Sequence, residues 1–164
     1  PSCAPPRWPR PASTRGWNKP LSTQRAQRHR EHRGTENTEM EDSVLSGQVI
    51  GAAIEVHRLL GPGLLESAYE LALERELRMI GIDVRRQVPV PLQYKGASLG
   101  DGFRIDMLVN ELLLIEIKAV EQLIPLHEAQ LLTYLRLAGK RHGLLINFNV
   151  AALKNGIKRV VNGF

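Results

Sequence analysis

From Met40 onward, apolar residues recur at two distinct periods. In SVLSGQVIGAAIEVHRLL, Val49, Ile50, Ala53, Ile54, His57 and Leu60 are spaced three and four apart. That period predicts an amphipathic helix, capped by Ser43 or Ser46 and stopped by Gly61-Pro62-Gly63. LLESAYELALERELRMIG predicts a second helix, with Leu65, Ala68, Tyr69, Ala72, Leu73, Leu77 and Ile80 on its apolar stripe. From residue 82 the period falls to two: Ile82, Val84, Val88, Val90, Leu92 and Tyr94 alternate toward one side. Pro89 and Pro91 make this an edge strand or a bent one. FRIDMLV and LLLIEIKAV predict a hairpin turning near Asn110-Glu111. Pro125 then opens a third helix, LHEAQLLTYLRLAG, and HGLLINFNV and IKRVV are two further strands. The predicted order is α-α-β-β-β-α-β-β, and about 125 residues suffice for one core.

Residues 1–39 break this pattern. They hold six of the ten prolines, both Trp, the single Cys, and one large aliphatic residue, Leu21. Such a stretch buries too little to offset its ordering entropy, so it is expected to be a disordered, low-complexity leader. Met40 is expected to lie at or near the natural start, with residues 1–39 read in frame from upstream. A basic arm binding nucleic acid is the second reading of this segment.

Charge follows the same boundary. Eight Arg or Lys and three Glu lie in residues 1–39, so the formal net charge of +5 belongs to the leader and residues 40–164 are neutral. With Cys3 as the lone cysteine there is no disulfide framework and no cysteine metal site. No apolar run approaches the ~20 residues of a membrane span. A cytoplasmic setting without membrane contact is expected.

LLLIEIKAV places Glu116 and Lys118 in a strand that otherwise reads as central and buried on both sides. Being two apart, they share one face, while Leu113, Ile115 and Ile117 take the other. Buried charges need partners, and a spacing of about 7 Å along one strand satisfies two of them poorly. The nearest candidate is Asp106. A two-residue turn at Asn110-Glu111 pairs residue 106 with 115 and separates the two carboxylates. A three-residue loop, 110–112, pairs 106 with 116 and makes them neighbours. In the second case two acids face each other beside an ammonium, a conflict that a divalent cation removes. Oxygen ligands favour Mg²⁺ or Mn²⁺ over zinc.

Glu66 lies on the edge of the second helix's stripe, whereas Glu70, Glu74 and Glu76 fall largely off it. His127, Gln130 and Tyr134 share a face of the third helix. For Gln130 and Tyr134 an ordinary polar edge competes with a role at the site. His127 could touch a phosphate. His57 suits a helix interface and His142 a structural place. Arg104, with the parity of Asp106, either contacts the site or neutralises it, and Lys158 and Arg159 suit a solvated basic end.

Asp106 followed by Glu116-x-Lys118 resembles the D…(D/E)-x-K signature of the PD-(D/E)XK nuclease superfamily. Gln130-x-x-x-Tyr134 resembles the Q-x-x-x-Y element of its RecB-type branch. Gly63-x-x-Glu66-x-x-Tyr69 is similar to the motif that names the GxxExxY family, a small bacterial branch, and the likeness runs from about Val44 to Phe164. Ile105 stands where the wider motif has proline.

The resemblance implies an α/β, restriction-endonuclease-like αβββαβ core, with a mixed central sheet flanked by helices. It implies metal ligands Glu66, Asp106 and Glu116 for Mg²⁺ (or Mn²⁺), with Lys118 serving the attacking water and the phosphate. Gln130 and Tyr134 would position Lys118, the water or the substrate. The implied activity is phosphodiester hydrolysis of DNA, or RNA, with homodimers a common arrangement for so small a core. The competing reading is a catalytically silent nucleic-acid-binding or protein-interaction module that keeps the fold; the neutral body of the chain speaks for it.

Overall fold

The computed structural model describes residues 21–163, with side chains described from Met40 to Gly163. One compact unit runs from Thr38 to Phe164. Helix α1 is Leu21–Leu60 and α2 is Glu66–Met79. Strands β1 (Val84–Tyr94), β2 (Ala97–Val109) and β3 (Leu113–Lys118) follow. Then come α3 (Pro125–Leu137), β4 (His142–Asn147), a 3-10 turn at Leu153–Asn155, and β5 (Ile157–Val161). The element order is the one the sequence pattern predicts.

Helix α1 begins at Leu21, within residues 1–39. Leu21 to Arg33 contains no Pro or Gly and is rich in Arg and Gln, residues with good intrinsic helix propensity. Residues 1–20 of the expected leader lie outside the described residues.

The five strands form one mixed sheet in the order β1-β2-β3-β4-β5. β3 and β4 run parallel, joined through α3, and the other neighbours are antiparallel. β3 is therefore central, and its residues Leu113 to Ile117 are all buried. β1 is an edge, where the prolines predicted it, and its register slips on both sides of Pro91.

α1 and α2 cover one face of the sheet. Val49, Ala53, Val56, Tyr69, Leu73 and Leu77 pack there with Met107, Ile115, Ile117 and Ile146. α3 covers the other, where Leu131 and Leu135 meet Ile105, Leu108, Leu114 and Leu145. The stripe of α1 is rotated from the predicted one. Leu45, Ala52 and Val56 are buried, and Ile54 and Leu60 are exposed. Adjacent Ala52 and Ala53 have side chains small enough for close packing, which draws the contact toward them. Leu65 and Ile80 are the capping positions just outside α2 and are exposed.

The even alternation expected over 82–94 also changes. Ile82 and Val84 join the α1–α2 side, whereas Val88 and Val90 join the α3 side. The change of face falls at Gln87, whose φ is +52°.

Candidate active site

The β2–β3 connection decides whether Asp106 and Glu116 can meet. Asn110 and Glu111 both take left-handed φ values, +47° and +57°, and the Leu112 N–H donates to Val109 O at 2.9 Å. The ladder pairs Val109 with Leu113, Leu108 with Leu114 and Met107 with Ile115. This is the three-residue-loop register, and continued by one step it sets Asp106 opposite Glu116. The regular pairing ends there. Instead of a β2 carbonyl, Asp106 Oδ2 accepts the Ile117 N–H at 2.8 Å.

Glu116 and Lys118 bond directly, Nζ to Oε1 at 2.7 Å, closer than their strand spacing suggested. The long lysine side chain bends back along the strand, which a rigid estimate ignores. The pair still leaves a deficit. Among the described residues, Glu116 Oε2 is the buried side-chain oxygen without a hydrogen-bond partner. Such an orphan costs about 1–3 kcal/mol or more when charged.

Burial and the nearby Asp106 charge push the Glu116 carboxyl up to about 7, against the pull of Lys118. Burial also raises Asp106, opposed by the Ile117 N–H and Lys118. For Lys118, burial disfavours the ammonium, but the bond to Glu116 and the charges of Glu116, Glu66 and Asp106 outweigh it and hold its pKa above the usual value. The site is thus short of positive charge.

Glu66 is exposed at the first turn of α2, where its Oε1 accepts the Ala119 N–H at 3.1 Å, next to Lys118. It is near enough to act electrostatically on Asp106, Glu116 and Lys118. The three expected ligands do not close into one group: among the described residues no three His, Cys, Asp or Glu side chains are arranged to hold a metal ion. Each carboxylate is drawn to a local donor, Glu66 to Ala119, Asp106 to Ile117 and Glu116 to Lys118. The unpartnered Oε2 and the mutual repulsion of Asp106 and Glu116 nevertheless fit a divalent cation held by those two.

Gln130 and Tyr134 are brought together, Nε2 to Oη at 2.6 Å, and the Tyr134 ring stacks on Phe103 with centroids 4.2 Å apart. His127 is turned to its own helix start, where its Nδ1 accepts the Ile124 N–H at 3.3 Å. His57 Nε2 lies 2.8 Å from Val150 O, and His142 Nδ1 lies 2.5 Å from Asp42 Oδ2, which gives both structural anchors. Lys158 pairs with Glu128.

The three named residues of Gly63-x-x-Glu66-x-x-Tyr69 each have a physical task. Gly63 sits at φ +100°, which disfavours any side chain. Tyr69 Oη donates to Gly61 O at 2.7 Å and accepts the Leu64 N–H at 3.1 Å, while its ring stacks on Phe148 at 4.4 Å. The turn is thereby fixed, and Glu66 is delivered to the end of β3.

Two functional supports escaped the sequence reading. Asn147 is buried; its Oδ1 accepts the Val120 and Asn149 N–H groups and its Nδ2 donates to Val120 O at 2.8 Å. It staples the chain just after Lys118, and the signal was a lone amide closing the apolar run LLIN. Glu70, expected off the stripe, is buried. Arg86 Nε donates to it at 2.8 Å and Gln87 Nε2 donates to both its oxygens. Its signal was Arg86 standing at an apolar-parity position of β1.

Among the described residues no helix is long and apolar enough to cross a membrane. Residues 43–160 match the family model described as PD-(D/E)XK nuclease superfamily. No curated protein and no solved structure matches the chain.

Proposed function

The chain belongs to the PD-(D/E)XK nuclease superfamily, and on that premise we propose that it is a divalent-cation-dependent nuclease of the GxxExxY branch, acting on DNA before RNA. The observation that carries this reading is the buried, unpartnered Oε2 of Glu116 beside a second carboxylate, Asp106, with Lys118 next to both.

Asp106 and Glu116 would hold Mg²⁺ or Mn²⁺, with Glu66 a third carboxylate within their field. A bound divalent cation supplies Lewis-acid charge, lowers the pKa of water and offsets phosphate charge. Lys118 donates to the attacking water or to a phosphate oxygen, and its raised pKa keeps it cationic for that task. Water adds to phosphorus and releases a proton to solvent, the phosphodiester P–O bond breaks, and the leaving oxygen takes up a proton. Gln130 and Tyr134, bonded to each other on α3, would orient substrate or water.

A second reading, a silent binding module, draws on the way the site's charges are already partly satisfied. Glu116 and Lys118 close on each other, Glu66 caps Ala119, and no three-acid ligand group is formed among the described residues.

The test incubates the full chain with single-stranded DNA, duplex DNA and RNA, in Mg²⁺, Mn²⁺ or EDTA, beside a Glu116→Ala Lys118→Ala control. Metal-dependent cleavage lost in the control supports the nuclease. Absence of cleavage on all three substrates supports the module.

A further inference from the structure

Gln87 and Asp106 are the two residues that fall between the paired positions Arg86–Met107 and Val88–Ile105 of the β1–β2 ladder. Both strands exchange faces at this point. On β1, Val84 packs with α1 and α2, and Val88 and Val90 pack with α3. On β2, Met107 and Val109 lie on the first side, and Phe103 and Ile105 on the second. A regular strand would keep each of these odd-numbered or even-numbered sets on one side. The hairpin is therefore bent across the sheet at one level, and Asp106 is the β2 residue at the bend.

The bend has a built anchor. Gln87 adopts φ +52°, a left-handed conformation that a non-glycine residue holds at a cost unless its surroundings fix it. Its amide donates to Glu70 Oε1 and Oε2 at 3.1 and 3.0 Å, and the preceding Arg86 donates to Glu70 Oε1 at 2.8 Å. Arg86 also reaches Glu74 Oε2 at 3.2 Å. Glu70 is 5% exposed, so a carboxylate has been buried on α2 to make these bonds.

The consequence is read at β3. Regular β2–β3 pairing stops at Met107–Ile115, and the Asp106 carboxylate, freed by the bend, takes the Ile117 N–H. We propose that Glu70 is a positioning residue: through Gln87 and Arg86 it fixes the bend that turns Asp106 onto Ile117 and toward Glu116 and Lys118. The proposal rests on the reading of Asp106 as a site carboxylate. Its geometry is separable from turnover.

The test is amide hydrogen exchange of Ile117 in the full chain, read by NMR against Ile115 one step along the same strand edge. Glu70→Ala removes the anchor and speeds Ile117 exchange roughly tenfold, the loss of about one hydrogen bond, with Ile115 unchanged. Glu70→Gln keeps an acceptor for Gln87 and restores most of the protection. Gln87→Asn tolerates the left-handed backbone but is one methylene short of Glu70; it behaves like Glu70→Ala and decides the matter if that variant does not fold. Unchanged Ile117 exchange in a folded variant overturns the proposal. So does acceleration spread equally over Ile115, which marks general loosening. Because exchange is measured without nucleic acid or metal, a chain that cuts nothing can still pass, and one that cuts can still fail.

Discussion

Asp106 Oδ2 accepts the backbone N–H of Ile117 at 2.8 Å, where the β2–β3 ladder would otherwise continue. One carboxylate thus replaces a strand carbonyl and stands opposite a second, Glu116. Substituting Asp106→Asn keeps an oxygen for Ile117 and deletes the repulsion. The variant is expected to match or exceed wild-type thermal stability while losing cleavage by roughly 10²-fold or more, the scale of a lost electrostatic contribution. Paired melting and cleavage assays check this; a strong fall in stability contradicts the assignment of strain to the two carboxylates.

Stability should depend on pH through Glu116. Its carboxyl is raised in the fold, to about 7 from an ordinary value of 4.5, so the native state binds the proton more tightly than the unfolded chain. The sign follows: this group's contribution is most favourable below about 4.5 and is lost as pH rises through about 7. At ~1.4 kcal/mol per pKa unit the loss is about 3 kcal/mol. Denaturant titrations from pH 4.5 to 8 in EDTA should show it, and Glu116→Gln should flatten it.

Among the described residues, Lys118 is the one hydrogen-bonding partner of the Glu116 side chain. Replacing Lys118→Met leaves the carboxylate buried and unpaired above neutrality, at a cost of roughly 2–4 kcal/mol. At pH 5 Glu116 is protonated and the cost is expected to shrink to about 1 kcal/mol or less. Denaturation at pH 5 and pH 8 separates the two. Equal losses at both would show that packing, not charge, is what Lys118 supplies.

Asn147 holds the segment after Lys118 with two hydrogen bonds to Val120, and a third ties in the Asn149 N–H. Asn147→Ala leaves Val120 with two unsatisfied backbone groups, and a destabilisation of roughly 2–4 kcal/mol is expected. Thermal melting measures it. A loss under about 0.5 kcal/mol would show that the staple is dispensable.

Tyr69→Phe keeps the stacking on Phe148 and removes both bonds to the Gly61–Leu64 turn. About 1–2 kcal/mol should be lost, and Glu66 should reach Ala119 less often, seen as faster Ala119 amide exchange.

Much of this was legible in order and register, and less in orientation. The period change at residue 82, the prolines of β1 and the buried run around Glu116 located the elements and the central strand. The choice between two hairpin loops turned on backbone conformation at Asn110 and Glu111, which the letters permit but do not impose. Gln87 shows why periodicity fails locally. Its left-handed backbone moves Val88 and Val90 to the other face and leaves Gln87 beside Arg86 on Glu70, a pairing that strict alternation does not foresee. Glu66 shows the limit of a motif: it specifies the residue and its neighbourhood, but the Ala119 N–H decides where the carboxylate rests.

The most direct measurement is a calorimetric titration of the metal-free chain with Mn²⁺ at pH 7.5, beside Asp106→Asn and Glu116→Gln. Saturable binding by the wild type is expected, weakened at least about tenfold in either variant, with proton release as Glu116 ionises. Binding of equal strength in all three, or none in the wild type, would contradict the claim that these buried charges form a cation site.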